Sequence, residues 1–255
     1  MIRTRPSLSV RALILTILAG WVGAATWAAE PAEIHVFVAL ADNATQGIVP
    51  VPPKIGDGND AVHNLYWGCD EALPPVFHAS SDWKFLGREP GPKPAIIERL
   101  RFLHRSGKWQ FVADAYRGSA IRECTADFFQ ALASDEPVDR LPLVAYLGHD
   151  GLMDFTLPTD AISQRGPGRQ AIVLCCISER FFGPPLAAVG ARPLLTTTQL
   201  MYPAGCILRD ALAGWTRGET PTQIRARAAA AYARNQGISV KAASGVFSAA
   251  KKAQP

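Results

Sequence analysis

Four apolar runs constrain this chain more than any other feature. They are Ile34–Ala41 (IHVFVALA), Leu141–Leu147 (LPLVAYL), Ala171–Leu174 (AIVL) and Pro193–Thr197 (PLLTT). A strand with one wet face alternates apolar and polar residues, whereas an unbroken run suits a strand covered on both faces, as parallel strands are. Helical patterns follow at Pro203–Trp215 and Pro221–Asn235. Ser119 is placed to cap a helix through about Ala133, and Asp57-Gly58-Asn59-Asp60 to cap another from about Ala61 to Leu73. Trp83–Leu86 reads as a short strand, and Ile97–His104 with Lys108–Tyr116 as a strand pair turning at Ser106-Gly107. Runs alternating with helices predict an α/β fold with a mostly parallel central sheet. No repeat or linker divides residues 29–255, which read as one domain ending in helices over about 203–235.

The N-terminus reads as an address rather than as structure. Arg3, Arg5 and Arg11 precede an uncharged stretch from Ala12 to Ala29 that ends in small residues. That is the layout of a secretory signal peptide over residues 1–28, with cleavage after Ala28. The strongly apolar part, Ala12–Leu18, is shorter than the roughly 20 residues a bilayer span needs. The expectation is an exported protein, periplasmic or secreted, with no stable membrane span after cleavage.

Charge then argues against a nucleic-acid partner. The chain carries a net +4, and removing residues 1–28 leaves +1. From Arg217 onward seven basic residues face one acid, so residues 29–216 are acidic overall. The basic excess belongs to the C-terminal helices and not to a groove-wide field.

In open α/β sheets ligands gather beyond the carboxyl ends of the strands. The residues after the four runs are therefore the candidates: Asp42 and Asn43; Gly148, His149, Asp150 and Gly151; Cys175 and Cys176; Thr197, Thr198 and Gln199. A His and a Cys at the same end of neighbouring strands form a nucleophile–base arrangement. Glycines beside the His let substrate approach the backbone and free an N–H for an oxyanion.

The elements LVAYLGHDG (143–151) and AIVLCCIS (171–178) resemble the His and Cys strand ends of caspase-like cysteine peptidases, the group of legumain, gingipains and caspases. The resemblance implies a caspase-like α/β/α sandwich. It makes Cys176 the nucleophile, His149 the acid/base, and Asn43 the residue that positions the His. Thr196-Thr197 resembles a strand end near the family's specificity pocket. The chain departs from the pattern in two places: Asp150 separates His149 from Gly151, and His149 lies only 27 residues before Cys176.

Backbone N–H groups of Gly151 and Cys176 are the candidate oxyanion donors. Asp42, Thr197 and Thr198 are the candidate substrate-binding residues. Asp154 either orients His149 or caps the next turn, with the cap favoured. Five cysteines leave at least one thiol unpaired within a chain. One arrangement pairs Cys69 with Cys124 and leaves Cys176 free; another joins the adjacent Cys175 and Cys176. His35 reads as core, and His63, His78 and His104 share no ligand spacing with one another or with a Cys or an acid, so neither a metal nor a cofactor is expected. Leu65-Tyr66-Trp67 borders a ligand site or belongs to the core. The principal reading is an exported cysteine hydrolase acting on a peptide or protein substrate. The alternative is a non-catalytic binding module of the cell envelope on the same fold.

Overall fold

The computed structural model describes residue 1 and residues 30–249. Apart from Met1, the proposed signal peptide lies outside the described residues. One eight-stranded mixed sheet organises the molecule. Its strands are β1 (Ala32–Ala39), β2 (Trp83–Pro90), β3 (Ile96–His104), β4 (Trp109–Tyr116), β5 (Leu143–Leu147), β6 (Gln170–Leu174), β7 (Arg192–Thr197) and β8 (Phe247–Ala249). Their order is β2-β3-β4-β1-β5-β6-β7-β8. The pairs β1–β4, β1–β5, β5–β6 and β6–β7 are parallel, while β2–β3, β3–β4 and β7–β8 are antiparallel.

The apolar runs form the central strands because helices cover both faces. Ile34, Val36 and Val38 of β1 face one layer, which contains α1 (Leu73–His78), α5 (Gly205–Trp215) and α6 (Pro221–Gln236). Phe37 and Ala39 face the other, built by α2 (Ile121–Ala133), α3 (Ser178–Phe181) and α4 (Gly183–Ala188). The fold is an α/β sandwich. A short helix α7 (Val240–Ser244) leads into β8. Thr220 opens α6 with a capping box shared with Gln223, and Gly237 closes it in the left-handed region.

Buried Arg169, just before β6, ties two layers together. Its guanidinium donates to the carbonyls of Leu141 (2.9 Å), Leu132 (3.0 Å), Ser134 (2.7 Å) and Glu136. It thereby satisfies carbonyls that the end of α2 leaves open.

Three expectations need correction. Residues 61–72 form turns, and helix begins only at Leu73. Asn64 causes this: its side chain donates to the Ala41 and Asp57 carbonyls and accepts from the Ala41 and Tyr66 amides, fixing a turn where a helix would need those groups. Ser119 caps nothing; it lies inside a 3-10 turn, Gly118–Ala120, that runs into α2. The Cys69–Cys124 disulfide is absent. All five thiols are free, and Cys124 lies in the α2 layer while the segment carrying Cys69 packs with Tyr66, Trp67 and Leu73 on the opposite face.

Candidate active site

The sheet changes direction of travel at β1, which sits between β4 and β5. At that end lies a cavity of about 450 Å³. The loop Gly47–Val51 after β1 forms one wall, and Leu200–Pro203 after β7 forms the other. Gly148 and His149 enter from the end of β5, and Cys176 from the end of β6. The structure thus brings His149 and Cys176, distant in sequence, into one cavity. A larger hollow of about 610 Å³ lies where β1, β4 and β5 begin, lined by Glu30, Glu33, Glu136 and Arg140 and offering no nucleophile.

Local backbone explains how both residues arrive. Gly148 has φ +141°, where a Cβ would sit 3.1 Å from the Ala39 carbonyl oxygen, so only glycine fits before His149. Ile177, directly after Cys176, has φ +49°, an outlier for a β-branched residue that costs about 1–2 kcal/mol. The turn is held by a brace. Ser178 Oγ donates to Val173 O (2.9 Å), Thr197 Oγ1 donates to Cys175 O, and the Ser178 and Thr197 amides donate to each other's side chains at 3.0 and 2.9 Å. Strain over-determined in this way is typical of functional sites.

Buried His149 pairs through Nε2 with Asp154 Oδ2 at 2.7 Å. The same oxygen accepts the Gly47 amide at 2.9 Å, and the His149 carbonyl accepts the Tyr146 hydroxyl at 3.0 Å. Asp154 therefore orients His149. The turn is capped instead by Asp150, whose Oδ1 accepts from Leu152 N at 2.9 Å. Asp150 is fully buried and its Oδ2 has no partner among the described residues. Burial pushes its carboxyl up to about 7, and the Asp154 carboxylate adds to the rise.

Cys176 is half-buried. Its Sγ lies 3.5 Å from both the carbonyl and the amide of Met201. Burial pushes its thiol up, so the resting form near neutrality is the neutral thiol. Cys175 points the other way, into the α2 layer, fully buried and with its thiol pushed well up. Both are free, so no vicinal disulfide forms.

The remaining sequence candidates have other duties. Asn43 spends its amide on Val51, donating to its carbonyl (2.8 Å) and accepting from its N–H (3.0 Å), and so shapes the cavity wall. Asp42 is buried and accepts from Ala44 N and Thr45 Oγ1. Thr197 is sealed in the brace behind Cys176, and Thr198 joins the end of β7 to Gly245 and Val246. None of these three lines the cavity. Gly151 opens a 3-10 turn; its amide and that of Cys176 bond to no other described residue. Tyr232 walls the cavity with no signal in the sequence, whereas Met201 and Tyr202 fall in the Thr197–Tyr202 segment expected to build the pocket, and Leu65 and Tyr66 border it too. Among the described residues no group of three or more His, Cys, Asp or Glu is placed to hold a metal. No helix among them is long and apolar enough to cross a membrane. No family model, curated protein or solved structure matches this chain.

Proposed function

We propose that the chain is a cysteine hydrolase acting on peptide bonds, with Cys176 as nucleophile and His149 as acid/base. The observation that carries this reading is one cavity, at the carboxyl end of a parallel sheet, containing both a half-buried thiol and an imidazole fixed by a carboxylate. The strand order supports the caspase-like version: His and Cys end adjacent parallel strands β5 and β6, with β1 and β4 on one side and β7 and antiparallel β8 on the other.

In this reading the thiol proton moves to His149 as Sγ attacks the substrate carbonyl carbon. The Cys176 amide is the donor the cavity offers to the oxyanion, whereas Gly151, the other sequence candidate, lies against Phe155 and Ile121 and does not line the cavity. The C–N bond breaks, and His149 gives its proton to the departing amine. Water then attacks the thioester, passing a proton back through His149, and the acid product leaves. Asp154 keeps the imidazole in one orientation and stabilises its charged form.

A second reading is favoured by one observation: Sγ bonds to the Met201 backbone, with no bond to His149. The cavity then binds a ligand without chemistry. Incubating the purified chain with a peptide mixture and sequencing new termini by mass spectrometry separates the two. New termini that vanish in Cys176→Ala support the hydrolase; none in either protein supports the binding module.

A further inference from the structure

The walls around Cys176 and His149 carry no charge. Among the described residues no Asp, Glu, Lys or Arg lines the cavity, and the titratable groups there are the pair itself and the phenols of Tyr66, Tyr202 and Tyr232. The neighbouring carboxylate, Asp154, is already engaged by His149 and by the Gly47 amide. A charged side chain entering here would lose its water and gain no counter-ion.

The rim adds an independent observation. Val49, Met153 and Leu200 line the opening and stand 86, 42 and 67% exposed. They come from three separate segments, after β1, β5 and β7. Single exposed apolar residues need no explanation, but three around one opening mark a surface that binds apolar groups. The volume of about 450 Å³ lies within the range of small-ligand pockets.

Resting on the hydrolase reading, we infer that this enzyme cleaves after a bulky, uncharged, apolar residue such as leucine, methionine or phenylalanine. The residue that carries the attacked carbonyl is the one whose side chain must lie against the walls nearest Sγ. Met201 lies 3.5 Å from Sγ, and Ile48, Val51, Tyr66 and Tyr202 line the same cavity. Alanine leaves them unfilled, and each missing methylene in such a pocket is worth about 10- to 200-fold.

The test uses the full chain and peptidyl acyloxymethyl ketones that differ only in their last residue: Leu, Ala, Asp or Arg. Each alkylates a reactive thiol, forming a thioether and expelling a carboxylate. The Leu probe is expected to modify Cys176 fastest, the Ala probe at least about tenfold slower, and the Asp and Arg probes at least about 100-fold slower. Leu200→Lys, at an exposed rim position, should narrow the gap between the Asp and Leu probes at least tenfold. The inference is overturned if Asp or Arg reacts fastest, if all four react alike, or if every peptide probe spares a Cys176 that iodoacetamide alkylates. If Cys176 resists iodoacetamide as well, the hydrolase reading itself falls, and this inference with it.

Discussion

His149 Nε2 lies 2.7 Å from Asp154 Oδ2, an oxygen that also receives the Gly47 amide. One carboxylate thus fixes the imidazole and the loop that walls the cavity. Asp154→Ala should slow peptide turnover by about 10²-fold, within the 10²–10⁴ that general acid–base catalysis supplies. Asp154→Asn should recover loop order but little of the rate, because its amide is not the charged partner the imidazolium needs. Turnover by both variants, alongside circular dichroism, checks this.

Asp150 is the expected source of a pH-dependent loss of stability. Its carboxyl rises from 3.8 to about 7 in the folded chain, so the native state holds a proton that the unfolded chain releases. Stability therefore falls as pH rises from about 4 to 7, and the cost is fully present above 7. Asp150→Asn should gain on the order of 4 kcal/mol at pH 8 and almost nothing at pH 4. Urea unfolding at the two pH values reads the difference. An equal effect at both would show that Asp150 is not the buried acid described.

Cysteine reactivity should follow burial. Cys124 and Cys175 are buried, whereas Cys69, Cys176 and Cys206 are partly exposed. Native alkylation should reach only the last three, and denatured protein should yield five thiols. Burial raises the Cys176 thiol, so its alkylation rate should keep climbing as pH rises past 8. A plateau near pH 6 would mean a pre-formed thiolate.

Arg169→Met should cost about 3 kcal/mol, because four carbonyls, those of Leu132 and Leu141 buried, lose their donor while the volume is kept. Chemical unfolding measures it.

The strands β1, β5, β6 and β7 were legible because burial on both faces leaves nearly continuous apolar runs, with His35 as the one titratable residue inside the first. The hairpin of β3 and β4 showed through its Ser-Gly turn, whereas only Trp83–Leu86 of the edge strand β2, which runs to Pro90, read as a strand. The segment 61–72 was misread because Asn64 serves four backbone groups across 23 residues, which no local pattern reveals. His149 and Cys176 were legible as strand-end residues. The role of Asp154 was not, since an acid five residues after a His is as often a turn cap, and here Asp150 takes the cap instead. Thr197 looked like a substrate contact because it ends a strand at the right edge, but its hydroxyl is consumed by the turn behind Cys175. Nor could sequence show that Val49, Met153 and Leu200 meet at one opening, because that depends on how three loops leave the sheet.

The most direct test is mass-mapped labelling of the purified chain by a Leu-type acyloxymethyl ketone, with His149→Ala, Cys175→Ala and Cys176→Ala as companions. The account predicts a single adduct on Cys176 in the natural sequence and in Cys175→Ala, none in Cys176→Ala, and at least about 100-fold slower labelling in His149→Ala. An adduct on Cys175, or labelling of Cys176 at an undiminished rate without His149, would contradict it.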